Sequence, residues 1–220
     1  MYNELTLGEI AARGPQTRGV LLRHQLDFCC GGRKTLGEAC ATSGLDAAAI
    51  SNELTQAEGG PADPEDWATA PIGDVVNYIL DRFHEPLRAQ LDAVVTAAEK
   101  IERVHGEKVT CPTGLAAHLR YVRADLANHM AKEEQVLFPA LVSGRAGPML
   151  SGPVTVMMRE HDDHGESLRH MRALATNFLP PAGACATWRA LYEQLEQLEA
   201  DLMEHIHLEN HVLFPRALRA

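Results

Sequence analysis

Four stretches of the chain, at about 72–104, 113–143, 151–178 and 184–214, place apolar side chains three or four positions apart, the spacing that lines one face of an α-helix. On the second the series runs Leu115, Leu119, Val122, Leu126, His129, Glu133, Val136. On the fourth it runs Trp188, Leu191, Leu195, Leu198, Leu202, His205, Glu209, Val212. Breaks at GEKVTCPTG, GRAGP and LPPAG separate the stretches, and no alternation of the β type interrupts them. The pattern predicts an all-α chain whose main part, residues 71–220, is an up-down-up-down four-helix bundle. Ahead of it, residues 1–58 carry Ala- and Leu-rich runs broken by Gly, which predict a small helical domain. The Gly- and Pro-rich residues 59–70 read as the linker between the two.

Both quoted series change character near their ends. An apolar run gives way to a His and a Glu four positions apart and then to the same tetrapeptide, so the frame His-x-x-x-Glu-x-x-Val-Leu-Phe-Pro occurs from His129 and again from His205. The first helix series, Val76, Leu80, His84, Leu87, Leu91, Val94, Ala98, carries one His, and the third, Val154, Met157, His161, His164, Leu168, Met171, carries two. Each half of the bundle thus supplies one helix with an inward His and one with an inward His-x-x-x-Glu. Phe138-Pro139 and Phe214-Pro215 read as stops that plug the helix ends, and Pro86 as a kink beside His84.

A carboxylate inside an apolar seam is costly unless it is paired with charge or bound to metal. A His and a Glu four apart lie one turn apart on one helix face and can reach a common centre. Four nitrogen and two oxygen donors, with no thiolate, suit a transition metal, iron above all, and weaken a structural zinc reading. Six side chains exceed the needs of one tetrahedral ion. Two six-coordinate ions offer about twelve positions, and with two bridging carboxylates and an oxygen bridge roughly one position per ion stays open to O2 or NO. His164 reads as a polar lining residue, with a further ligand or an outer donor as the alternative, while His24, His105, His118, His170, His207 and His211 read as exposed or outer groups. Glu160 and Asp125 are candidate proton or outer groups beside the ligands.

Composition narrows the partners. Thirty acidic against twenty basic residues, a formal charge of -10 and no dense basic cluster argue against nucleic acid. No apolar run approaches the roughly 18 residues of a bilayer span, and the first residues lack a secretory pattern, so the expected place is the cytoplasm and not a membrane. Five cysteines, odd in number and scattered, suit reduced thiols. Cys29-Cys30, followed by Gly31-Gly32 and the cations Arg33 and Lys34, stands either for redox or transfer chemistry or for two ordinary buried cysteines.

Ferritin-like di-iron proteins use Glu-x-x-His; the nitrogen-rich pattern here resembles the hemerythrin family. Joined to Asp27-Phe28-Cys29-Cys30-Gly31-Gly32, it resembles, over nearly the whole chain, the RIC (repair of iron centres) proteins. The resemblance implies two non-haem irons per chain, oxo- or hydroxo- and carboxylate-bridged, held by His84, His129, His161 and His205. Glu133 and Glu209 bridge them and are the candidate catalytic residues, and Cys29 and Cys30 serve an auxiliary role. It implies repair of iron-sulfur clusters damaged by nitrosative or oxidative stress, with damaged iron-sulfur proteins as partners, NO or O2 as small ligands, and reduction of NO to N2O. The alternatives are an iron donor without NO turnover and an O2- or NO-binding sensor. True hemerythrins carry a further His where this chain has Gly165, which predicts a more open centre.

Overall fold

The computed structural model describes residues 2–58, 66–145 and 147–219. Residues 59–65 of the expected linker therefore lie outside the described residues; 66–70 form turns that lead into the bundle. Among the described residues there is no strand, only an isolated bridge between Thr6 and Thr35.

That bridge joins two copies of one short motif. Thr6-Leu7-Gly8-Glu9 and Thr35-Leu36-Gly37-Glu38 each build a capping box, in which the threonine oxygen accepts from the glutamate backbone N–H and the glutamate carboxylate accepts in return. The boxes start α1 (Leu7–Ala11) and α3 (Leu36–Ser43), with α2 (Pro15–Arg23) and α4 (Ala47–Ala57) following each. Leu7 N–H donates to Lys34 O at 2.9 Å and Leu36 N–H to Leu5 O at 2.9 Å, which locks the two halves of the segment together.

Among the described residues after Ala70, four rods joined by short connections form the bundle. Rod 1 is α5 (Ile72–Ile79), a π-helical turn (Leu80–His84) and α6 (Glu85–His105). Rod 2 is α7 (Leu115–Lys132), a π turn (Glu133–Leu137) and α8 (Phe138–Val142). Rod 3 is α9 (Ser151–Leu174), and rod 4 is α10 (Ala186–His207), a π turn (Leu208–Leu213) and α11 (Phe214–Arg219). The start of rod 1 packs against the ends of rods 2 and 4, so neighbours run in opposite directions.

Each of the three π turns is followed, two residues on, by a proline: Pro86, Pro139 and Pro215. Proline has no N–H for the α-helical bond and its ring crowds the carbonyl four residues earlier; a wider turn relieves both. Rod 3 has a proline only in its first turn and is α-helical throughout. This corrects two expectations. Phe138-Pro139 and Phe214-Pro215 do not stop their helices, which continue to Val142 and Arg219. The three-four series also slips: the extra residue of a π turn rotates the remainder of its rod by about 100°. Leu137 and Leu213 are buried where Val136 is exposed and Val212 half-buried, and before the first turn Ile79 replaces Leu80.

The apolar interior is in two parts. One joins the N-terminal segment to the middle of the bundle, from Tyr2, Leu7 and Phe28 to Leu119, Trp188 and Leu195. The other closes the far end around Val76, Phe83, Leu137, Met157 and Phe214. Between them lies a layer of buried histidines and glutamates.

Candidate metal centre

The rods bring six of the predicted residues into that layer. His84, His129, Glu133, His161, His205 and Glu209 are each 2 % exposed or less. They fall into two groups, His84, Glu133, His205, Glu209 and His129, Glu133, His161, Glu209, in each of which one donor atom per residue lies within 4.8 Å of the others. Both glutamates belong to both groups. His84 Nε2 stands 3.1 Å from His205 Nε2, and His129 Nε2 3.0 Å from His161 Nε2. Two donors at right angles on an ion with bonds of about 2.1 Å stand about 3.0 Å apart, so both separations suit chelation.

The oxygens carry the same message. Neither Oε1 nor Oε2 of Glu133 has a hydrogen-bond partner although the side chain is fully buried. A buried carboxylate left so is expensive unless a cation faces it. Without a cation, two carboxylates in one dry site cannot both ionise freely: burial and then the charge of Glu209 push Glu133 up. Burial opposes ionisation of Glu209 as well, but the charge of His205 and the hydrogen bonds of His161 and His205 hold it well below the ordinary range. Burial and then His205 lower His84 to about 4, whereas Glu133 outweighs burial at His129 and raises it to about 9. The six donors therefore fit a metal better than they fit each other.

Outer partners aim the rings. His84 Nδ1 lies 2.8 Å from Glu134 Oε1, and Arg88 grips the Glu134 carboxylate at 2.7 and 2.9 Å. His161 Nδ1 lies 2.8 Å from Asn210 Oδ1. Glu134 and Asn210 each follow a shared glutamate, so the repeat extends one residue further than the ligands and orients the lone His of its own half. His129 Nδ1 lies 2.8 Å from Glu160 Oε2, as expected for Glu160, and Lys132 holds the other Glu160 oxygen. With a metal bound, an Nδ1 proton engaged outward would leave the Nε2 lone pairs of His84, His129 and His161 for the ion. His205 Nδ1 has no partner; the ring of Phe83 stacks on it at 5.4 Å. Phe138 and Phe214 pack on His84 and His161 at 5.7 and 5.9 Å, so the Phe-Pro pairs shield the lone histidines.

His164 is buried but belongs to neither group; its Nε2 meets Asp125 Oδ2 at 3.2 Å, which places Asp125 on His164. Burial and then the charge of His129 lower His164 to about 2, so it stays neutral. Two histidines expected at the surface or among outer groups sit elsewhere. His207 is 2 % exposed against the edge of Phe28, and His211 Nε2 donates to Cys29 O at 3.0 Å. Both face the N-terminal segment.

That segment is clasped to rods 3 and 4. Arg18 Nη2 donates to Glu204 Oε1 at 3.0 Å, and Cys30 Sγ donates to His161 O at 2.9 Å. Asn210, while holding His161, also donates through Nδ2 to Cys29 O at 3.3 Å. A Cβ on Gly165 would stand 3.3 Å from Cys30 Sγ, and one on Gly32 would stand 2.4 Å from His211 Nε2. The space beside Gly165 that a side chain would take is filled by Cys30, which belongs to neither His and Glu group.

The comparisons with known proteins agree with this anatomy. Residues 75–217 match the hemerythrin HHE cation binding domain, and residues 3–58 a domain of unknown function, DUF542. Over 218 residues, 99 % of this chain and 98 % of each relative, the chain is similar to three iron-sulfur cluster repair proteins YtfE. It is 46 % identical to that of Musicola paradisiaca (strain Ech703), 48 % to that of Yersinia pseudotuberculosis serotype IB (strain PB1/+) and 47 % to that of Yersinia pestis (strain Pestoides F). No helix among the described residues is long and apolar enough to cross a membrane. A hemerythrin-like bundle of the kind that binds non-haem iron, behind a segment that sets two adjacent cysteines against rods 3 and 4, makes the chain a member of the iron-sulfur cluster repair (RIC) family.

Proposed function

We propose that this chain is a cytoplasmic non-haem di-iron protein that repairs iron-sulfur clusters damaged by nitrosative or oxidative stress, and that it binds NO or O2 and reduces NO to N2O. The observation that supports this reading most is the sharing of Glu133 and Glu209 by two four-residue groups. One ion belongs with His84 and His205, the other with His129 and His161. Residues 1–58 and 71–220 are the two units, and damaged iron-sulfur proteins are the partners.

When bound, the two irons supply the positions for NO and the electrons that couple two NO molecules to N2O. The protein supplies the rest. Glu134, Asn210 and Glu160 fix the rings of His84, His161 and His129 by engaging their Nδ1 atoms. Phe83, Phe138 and Phe214 exclude water, which strengthens every electrostatic contact inside. Glu160, half-buried and, against that burial, kept below the usual carboxylate range by Lys132 and His129, stays ionised, so that its Oε2 accepts the Nδ1 proton of His129 and holds that ring in place.

Metal analysis of the anaerobically purified chain tests the ligand assignment, with two irons per chain expected. Headspace analysis after NO is added to the diferrous protein tests the turnover. N2O supports it; NO taken up and recovered unchanged overturns it and leaves iron donation.

A further inference from the structure

The ligand assignment makes no use of the sulfur atoms. Cys29 Sγ and Cys30 Sγ lie 3.6 Å apart, and Cys29 Sγ lies 3.2 Å from Asp27 Oδ1, which also receives the backbone N–H groups of Cys29 and Cys30 at 3.2 and 2.9 Å. Cys29 is buried and Cys30 half-buried. Both border a cavity of about 680 Å³ between the N-terminal segment and rods 3 and 4. Arg33 and Arg159 line it, against the single carboxylate of Asp162, so its wall is net positive in a chain of formal charge -10. Among the described residues neither arginine is engaged in an ion pair.

We propose that Cys29 and Cys30 are a redox-active vicinal dithiol that exchanges with a small anionic disulfide of the glutathione class, seated in this cavity with its carboxylates toward Arg33 and Arg159. The exchange balances in two steps. Cys30 Sγ attacks one sulfur of the incoming disulfide; a Cys30 mixed disulfide forms, and the first small thiol leaves with the Cys30 proton. Cys29 Sγ then attacks Cys30 Sγ, Asp27 Oδ1 takes the Cys29 proton, and the second small thiol leaves with it. The protein gives up two electrons and two protons, and one disulfide becomes two thiols.

The contact with Cys30, then burial, holds the Cys29 thiol well above its ordinary value, so the half-buried Cys30 attacks first and Cys29 acts second, from 3.6 Å. Adjacent Cα atoms are about 3.8 Å apart, below the roughly 4.4–6.8 Å that disulfides usually span, so the product is strained and readily reduced again. It is a reversible state and not a staple. Oxidation also removes the thiol that donates to His161 O and pulls on the Cys29 peptide that Asn210 holds, so the thiol state is felt at His161.

The test uses the metal-loaded full chain in a Cys185→Ser background, which removes the exposed thiol. It is exposed anaerobically to oxidised glutathione or to neutral bis(2-hydroxyethyl) disulfide and read by intact mass and peptide mapping. The expected product has lost two hydrogens, mapped to Cys29 and Cys30; Cys29→Ser stops at a glutathione adduct on Cys30. Arg33→Ala with Arg159→Ala slows the glutathione reaction about tenfold and leaves the neutral disulfide's rate unchanged, which also reports that the variant is folded. Full alkylation of both cysteines after treatment, or a lasting glutathione adduct in the Cys185→Ser parent, overturns the dithiol. Equal loss of rate with both reagents, or none with either, overturns the anionic seat.

Discussion

The two halves of the bundle carry the same candidate ligands and surround them differently. Rods 1 and 2 supply His84, His129 and Glu133; rods 3 and 4 supply His161, His205 and Glu209. The residue after each shared glutamate orients the lone histidine of its half, as a carboxylate in one case (Glu134) and an amide in the other (Asn210). The residue before each lone histidine faces across to the other half: Glu160 engages His129, whereas Phe83 merely stacks on His205. The N-terminal segment makes its Arg18, Cys29 and Cys30 contacts on rods 3 and 4. The repeat thus fixes what the metal sees, and the departures from it, lying one shell out, decide how firmly each ring is held and what else touches it.

The largest effect expected comes from the residues the halves share. The double change Glu133→Leu, Glu209→Leu should abolish binding of both ions while the apolar layer stays folded, since leucines of similar volume relieve the burial of charge. One full equivalent of iron retained in metal analysis would mean that the groups do not depend on common carboxylates. Next comes Glu160→Gln, which should weaken metal binding by about 10- to 100-fold. The loss should fall on the His129 and His161 group, with Glu134→Gln acting on His84 and His205. Two-phase metal titrations check this, and identical curves for the two variants would erase the distinction.

The side that carries the segment should also be the acid-sensitive one. Burial, then His211 and Arg18, lowers His207 to about 3 in the folded chain, against about 6.5 unfolded. Because the folded value is the lower one, the stabilisation is complete above pH 6.5 and is lost as pH falls. Between pH 7 and pH 5 the loss from this group is about 2 kcal/mol. Urea unfolding at the two pH values measures it, and His207→Phe should flatten the difference. The smallest effect expected is that of Phe83→Leu. No hydrogen bond is lost there, so metal binding should change by about 1 kcal/mol or less, the scale of one ring-on-ring contact.

Much of the centre was legible in the chain itself. His129 with Glu133 and His205 with Glu209 stand in a duplicated frame inside an apolar series, and duplication is a signal that survives without a fold. Glu134 and Asn210 were legible in principle, as the next position of the same frame, but one is acidic and the other an amide, so the copies do not look alike. The π turns were hidden because period counting assumes a constant turn; Val136 and Leu137 are equally apolar, and only the proline two residues past each turn marks the slip. The clasp of the N-terminal segment left no trace in periodicity: Arg18 meets Glu204, and Cys30 meets His161, across most of the chain. The paired Thr-Leu-Gly-Glu boxes were a readable sign that residues 2–58 close on themselves.

The bare stretch of rod 3 at Gly165 makes room for a piece of chain that supplies none of the six buried histidines and glutamates. Cys30 lies over that spot like a bung, with its sulfur on the carbonyl of His161. The cover over the backbone of His161 is therefore supplied from another part of the chain, by a side chain that is not among the six.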